Sequence, residues 1–267
     1  MLREEHRGGV TFLTLSRPPH NFFDSVLLAQ LADAVGRCDN TPSIRAIVLS
    51  SDQRSFCAGA DFGGGKRPDP AMIYNEAVRL AGRRKPMVAA IKGAAIGGGL
   101  GLALAADFRI GCTETRLQAN FTRIGISPGF GLTFTLPRII GRQAALDLFL
   151  TARRIEGEEA YRLGMLDRLV LQEDVETHAE ALAYELASNA PSAMLATRAL
   201  ALDDYPSAFR AAVARELGYQ EPLFANPDFD EGVRAAAERR LPAFADPIVE
   251  SQAAAGVTPS SRIGAEH

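Results

Sequence analysis

The chain has 267 residues, 47% of them hydrophobic and 23% charged, which supplies a sizeable core for one large domain or one domain with an appendage. A formal net charge of −3, with basic residues spread along the chain, argues against nucleic acid as a partner, although RRK at 83–85 and KR at 66–67 could meet phosphates. Cys38, Cys57 and Cys112 are far apart and odd in number, and His6, His20, His178 and His267 are scattered, so neither a disulfide framework nor a metal-ligand spacing is present and a reducing compartment fits.

The first residues, MLREEHRGG, are polar and do not read as a signal peptide. VTFLTLS (10–16) and IRAIVLSS (44–51) are β-branched runs of strand length. Between them the spacing predicts a helix over 24–39, with Asp24 as N-cap and Leu27, Leu31, Ala34, Val35 and Cys38 on one face. PMVAAI (86–91) and DFRIGC (107–112) read as two further strands on either side of a glycine-rich helix. The fourteen uncharged residues between Lys92 and Asp107 fall short of the ~18 of a membrane span, so a soluble, cytoplasmic protein without a membrane partner is expected. Beyond residue 140, RQAALDLFLT, EGEEAYRLG and VETHAEALAYELASNA are amphipathic helices, LDRLVL (166–171) is a last strand candidate, and the chain reads helical from Pro191. Strands alternating with helices predict an α/β layer fold with parallel strand pairs.

Two stretches place small residues directly after a strand, CAGAD at 57–61 and AIGGGLG at 95–101. Bare backbone lets a ligand approach main-chain N–H groups, and the second stretch adds the field of a helix N-terminus. The same glycines would also serve close packing of helix on strand, and either stretch alone leaves both readings open. GISPG (125–129) matches the G-x-S-x-G nucleophile elbow, but the residue after the serine must offer an N–H and Pro128 has none. GGGLGLA fits no register of G-x-G-x-x-G, which speaks against a nicotinamide or flavin site. GGGKRPDP (63–70) is glycine-rich and broken by proline, and reads as a surface loop of the kind that gates a ligand.

FCAGADF, then KPMVAAIKGAAIGGGLGLALAADFRIG, then IGISPGFGLTFTLPRIIGRQAALDLFLTARRIEGEEAYRLGMLDRLV resemble the crotonase (enoyl-CoA hydratase/isomerase) superfamily. RPPHNFFD (17–24) and DFDEGVRAAAERRLPAF extend the likeness over residues 8–244. The resemblance implies a crotonase-type β-β-α spiral core over 1–190 and a C-terminal helical region over 191–246, and the Pro-, Gly- and Ser-bearing stretch 247–267 reads by composition as a flexible tail. It implies a coenzyme A thioester as substrate, no permanently bound cofactor, no metal, and a homotrimer or a hexamer built as a dimer of trimers. Coenzyme A would bind bent, its adenine near Ala58, Asp61 and Phe62. The backbone N–H groups of Ala60 and Gly98 would form the oxyanion hole for a thioester oxygen becoming an enolate, one such donor being worth about 3 kcal/mol.

The departures from the family pattern are as informative as the match. Hydratases of the family share water activation and proton delivery between two glutamates, and here Gly101 and Phe121 stand at the two positions. Dehalogenase-type members use an aspartate and a histidine that align with Gly129 and Tyr74. Tyr74 is therefore the proton-handling candidate, if its helix turns it inward, with core packing as the other reading. Glu76 would then face away, Asn120 could hold a water, and Asp107 reads as structural. Gly101, Phe121, Phe130 and Phe134 suggest a roomy, apolar acyl end, with Phe121, Phe130 and Asn120 lining it. The expectation is an enolate-forming acyl-CoA enzyme for a bulky or aromatic acyl group, working without the two-glutamate hydration. The alternative is a thioester-binding paralogue with little or no hydratase activity.

Overall fold

The β-branched runs form the central sheet. In the computed structural model, which describes residues 1–62 and 69–245, β1 (Leu2–Arg7), β2 (Val10–Leu15), β3 (Ala46–Ser51), β4 (Met87–Ile91), β6 (Phe108–Gly111) and β9 (Arg168–Leu169) lie side by side in that order. β5 (Ala94–Ile96), β7 (Arg116–Gln118) and β8 (Arg154–Glu156) make a second, smaller sheet. β1 pairs antiparallel with β2, and the remaining neighbours in the larger sheet are parallel. The helices are α1 (Ser25–Asn40), α2 (Pro70–Ala81), α3 (Gly98–Leu104), α4 (Leu132–Ile140), α5 (Arg142–Thr151), α6 (Gly157–Arg162), α7 (Val175–Ser188), α8 (Pro191–Ala201), α9 (Tyr205–Phe224) and α10 (Pro227–Glu238).

Each inner strand leads into a short second β segment and then a helix. β2 leads to Phe23 and α1, β3 to the segment around Cys57 and Ala60 and then α2, and β4 to β5 and α3. β6 leads to β7 and a single 3-10 turn, Thr122–Ile124, before α4. The second segments stack through parallel bridges, Phe23 on Ala60 and Cys57 on Ala95, and then β5 on β7. The result is the β-β-α spiral.

β3 and β4 are buried at every residue because both of their faces are covered. Ile47, Leu49 and Ala89 face the main core, whereas Ala46, Val48, Val88 and Ala90 pack with Val175, Ala179, Leu182 and Ala183 of α7. Asp24 caps α1, its carboxylate accepting from the Leu27 N–H at 2.8 Å, and all five predicted apolar positions are buried. The strand candidate at 166–171 shrinks to Arg168–Leu169, and the helix after the glycines stops at Leu104. β1 lies in a stretch that reads only as polar in sequence.

The C-terminal helices are not set apart. α9 packs on α2 and α4, α10 packs on the 3-10 turn, and Phe209, Ala212, Val213 and Phe229 belong to the main core cluster. α8 buries none of its residues and is tied to the core by Arg198 on Asp107 at 2.9 Å. Of the predicted gating loop, residues 63–68 lie outside the described residues, as does the predicted tail. Among the described residues no helix is long and apolar enough to cross a membrane, and no cluster of His, Cys, Asp and Glu could hold a metal ion.

Candidate active site

Two stretches of bare backbone meet because the bridges lay them side by side. The Cys57 N–H donates to Ala94 O at 3.1 Å and the Ile96 N–H to Cys57 O at 3.0 Å, which runs CAGAD along the entrance to α3. Phe23 bonds the Gly59 carbonyl and the Asp61 N–H, both at 2.9 Å, so the main-chain groups of Ala60 itself point away from Phe23. A Cβ built at Gly59, whose φ is +95°, would stand 3.6 Å from Gly98 N, which measures how near the two stretches come. The first bonds of α3 run from Leu100 and Gly101 to Gly97 O at 3.0 and 3.2 Å. The N–H groups of Gly98 and Gly99 thus precede the helical ladder and have no acceptor within it.

Ala60 and Gly98 line a cavity of about 380 Å³. Ala58, Asp61, Phe62, Tyr74, Asn120, Phe121 and Phe130 line it too, so the predicted coenzyme, acyl and proton-handling residues come together in one place. Two sequence expectations are corrected here. Gly101 does not open space at the acyl end, because a Cβ there would lie 2.7 Å from Phe130 Cδ1 and 2.9 Å from Phe130 Cβ; the ring fills the volume the missing side chain leaves. Phe134 is not in the cavity wall but packs on Tyr205 and Phe209, with ring centroids at 5.2 and 6.2 Å.

Phe130 holds a left-handed backbone, φ +62°, which costs a bulky residue about 1–3 kcal/mol and needs support from its surroundings. Its ring rests on Phe23 at 5.5 Å. Behind it, the buried Glu216 of α9 accepts from the Gly131 N–H at 2.6 Å, the Thr133 N–H at 2.8 Å and the Thr133 hydroxyl at 2.6 Å. Glu216 therefore caps α4 from another helix. Burial pushes its carboxyl above the ordinary range, with those hydrogen bonds pulling the other way.

Tyr74 does turn inward from α2 and is 6% exposed. Its hydroxyl donates to Gln220 Oε1, and Gln220 Nε2 donates to the Ser127 carbonyl at 2.6 Å. Gly129 makes room for this arrangement, since a Cβ there would sit 1.7 Å from the Tyr74 oxygen. Burial raises the phenol pKa well above its usual value, and the Glu216 charge adds to the effect. Glu76 is absent from the wall and pairs with Arg79 at 2.6 Å.

Among the described residues of the wall, the ionisable side chains are Asp61 and Tyr74. Asp61 is engaged with Arg17 at 3.2 Å, and Arg17 also holds Asp24 at 2.9 Å. Asn120 adds a carboxamide. Sequence reasoning missed Gln220, Phe224 and Val233 of the wall and Glu216 behind it; in sequence they look like ordinary positions of polar helices. Asp107 is remote from the cavity and structural. It accepts from the Met87 N–H at 2.8 Å and pairs with Arg83 and Arg198, each at 2.9 Å.

A family model described as enoyl-CoA hydratase/isomerase matches residues 5–247. A Bacillus subtilis (strain 168) protein described as a probable enoyl-CoA hydratase is 32% identical over 244 residues, covering 88% of this chain and 95% of that one. The 1,2-epoxyphenylacetyl-CoA isomerase of Escherichia coli (strain K12) is 32% identical over 248 residues, with the same two coverages, 88% and 95%. Among solved structures, an enoyl-CoA hydratase/isomerase from Pseudoalteromonas atlantica T6c superposes with a TM-score of 0.83 at 28% identity, covering 91% of this chain and 99% of that one.

Proposed function

The chain belongs to the enoyl-CoA hydratase/isomerase family, and from that premise we propose that it is an acyl-CoA enzyme acting through an oxyanion-stabilised thioester enolate on a bulky or aromatic acyl group. The observation that carries this reading is the cavity wall itself, in which Ala60 and Gly98 stand in a mostly apolar surface without a pair of carboxylates among the described residues. Negative charge developing on the thioester oxygen gains two donors fixed before the reaction. Ala58, Asp61 and Phe62 take the adenine side of coenzyme A. Phe121, Phe130 and Asn120 take the acyl group, and Tyr74 handles the proton as a neutral phenol.

Three features support the acyl preference. Phe22, Phe23, Phe121 and Phe130 give the wall an aromatic character, the volume suits a ring, and the Escherichia coli relative is named for a phenylacetyl-type thioester. Two-glutamate hydration is not open to this site, because Gly101 is covered by Phe130 and Phe121 cannot ionise. The neutral Tyr74 also favours a second reading, a thioester-binding protein with little turnover. We further propose that the chain works as a trimer or a dimer of trimers in the cytoplasm; α8, with Leu200 81% exposed, presents a face for a neighbouring copy, and light scattering reads the mass.

The test is a panel of crotonyl-CoA and cinnamoyl-CoA, followed by calorimetry for binding and by absorbance for hydration. The expected result is at least tenfold tighter binding of the aromatic thioester, about 1.4 kcal/mol, and no hydration of crotonyl-CoA. Rapid hydration of crotonyl-CoA would overturn the proposed chemistry. Equal and weak binding of both would overturn the acyl assignment.

A further inference from the structure

A second cavity, of about 840 Å³, lies beside α8 and shares none of its described lining residues with the cavity at Ala60 and Gly98. The end of α3, the start of β6, α4, α8 and the first residue of α9 all contribute to its wall. That wall has two characters. Leu104, Phe108, Ile139 and Met194 make part of it apolar, while Arg83, Arg109, Arg138 and Arg198 bring four guanidinium groups to the remainder.

The carboxylates that answer these cations are fewer. Asp107 is shared between Arg83 and Arg198, each at 2.9 Å, and Asp204 pairs with Arg138. Arg109 takes its counter-charge from outside the wall, from Asp167 at 2.9 Å. Four cations therefore meet three acids, and the surplus positive charge falls to Arg83 and Arg198, which have one carboxylate between them. Two donors in the same wall are also unspent. Arg83 Nε is buried without a hydrogen-bond partner, and the Tyr205 hydroxyl bonds to no described residue. The Tyr205 phenol feels the charges of Arg83, Arg109 and Arg198 together, which places it at the cationic end. Buried polar groups are as a rule paired, so unspent donors beside a surplus positive charge fit an anion.

We propose that this cavity is a second ligand site, for an amphipathic monocarboxylate. The carboxylate of such an acid is held by Arg83, Arg198 and the Tyr205 hydroxyl, and its hydrocarbon body lies along Leu104, Phe108, Ile139 and Met194. One negative charge matches the surplus. A phosphate dianion would exceed it and leave the apolar part of the wall uncovered. A guanidinium presents paired N–H groups in the geometry that a carboxylate accepts, and the low dielectric of a half-enclosed site strengthens the pairing. The hydrocarbon adds the gain of removing apolar surface from water. This site is separate from the thioester site and does not rest on it.

The experiment titrates the full chain with sodium octanoate by calorimetry, alone and with saturating cinnamoyl-CoA. Octan-1-ol and inorganic phosphate probe the tail and the charge separately. The expected result is saturable octanoate binding that the thioester changes by less than about twofold, the tolerance of uncoupled sites. Octanoate should bind at least about tenfold more tightly than octan-1-ol or phosphate, because only it uses both parts of the wall. Tyr205→Phe keeps the ring and should weaken octanoate by about tenfold, the size of one hydrogen bond to a charged group, with thioester affinity unchanged. Ala193→Trp, which fills the cavity from α8, should abolish octanoate binding. Displacement of octanoate by the thioester would put the acid in the other cavity and overturn the proposal. Equal binding of octan-1-ol or phosphate, or an octanoate affinity unchanged in both variants, would overturn it too. So would a chain that binds no octanoate; if light scattering then shows an oligomer that Ala193→Trp dissociates, the occupant is a second copy of the chain.

Discussion

α3 is seven residues long, and its two ends are chemically opposite. At its start, Gly98 lines a cavity whose described wall has Asp61 and Tyr74 as its ionisable side chains. Just past its end, Asp107 gathers Arg83 and Arg198, and Arg198 also donates to the Arg83 carbonyl at 2.7 Å. Side-chain charge ties the fold together at one end, whereas at the other the one carboxylate of the described wall, Asp61, is engaged with Arg17 at 3.2 Å.

The largest expected effect lies at the charged end. Asp107→Ala leaves Arg83, 4% exposed, without its counter-charge, and should cost about 3–5 kcal/mol in denaturant unfolding. If the two ends are independent, the folded fraction should bind thioester within about twofold of the parent, the tolerance of uncoupled sites. A larger change would break the comparison. Next, Gly101→Glu drives a side chain into the Phe130 ring and should cost about 2 kcal/mol. Pairing it with Phe130→Gly should recover most of the loss, and a coupling below about 0.5 kcal/mol in the double-mutant cycle would mean that the ring is not what excludes the glutamate.

A third test sharpens the contrast through pH. Burial alone would raise the Asp107 pKa, but Arg83 and Arg198 outweigh it and the net shift is downward from 3.8. Its contribution is present above 3.8 and is lost as pH falls through the folded value. Glu216, behind the cavity, shifts upward from 4.5 because burial dominates, so its contribution is present below 4.5 and is lost as pH rises through the folded value. The stability advantage of the parent over Glu216→Gln should therefore shrink as pH rises above 4.5, whereas its advantage over Asp107→Asn should shrink as pH falls below 3.8. Parallel profiles for the two variants would contradict the assignment. The smallest effect belongs to charges at neither end. Arg79→Ala removes an exposed bridge to Asp33 and Glu76 and should change stability by no more than about 0.5 kcal/mol.

The larger sheet was legible in sequence because VTFLTL, AIVLSS and MVAAI carry enough β-branched and small apolar residues to mark a covered surface. The smaller sheet was not, because runs of three residues such as Ala94–Ile96 and Arg116–Gln118 contain no period and take their conformation from neighbours. β1 escaped for a different reason. It is an edge strand, and its charges, LREEHR, suit a solvent-facing edge. At the site, Ala60 and Gly98, singled out from bare-backbone stretches, both line the cavity. Glu216 and Gln220 were invisible because a Glu and a Gln four apart on a helix normally face water. Their partners lie 83 to 146 residues away in sequence, and the nearest clue was indirect, glycines at 129 and 131 flanking Phe130 where something bulky must approach.

That two of the groups shaping the cavity ride on α9 ties occupancy of the cavity to docking of the C-terminal third. Gln220 reaches Tyr74 and Ser127, and Glu216 reaches Gly131 and Thr133, so undocking α9 dismantles that side of the cavity wall. Ligand and helix are then linked equilibria: a thioester at 100 times its dissociation constant adds about 2.7 kcal/mol against any opening that abolishes binding. Amide protons of α9, far from Gly98 in sequence, should slow their exchange with solvent as the cavity fills, which makes the last long helix a built-in gauge of ligand occupancy.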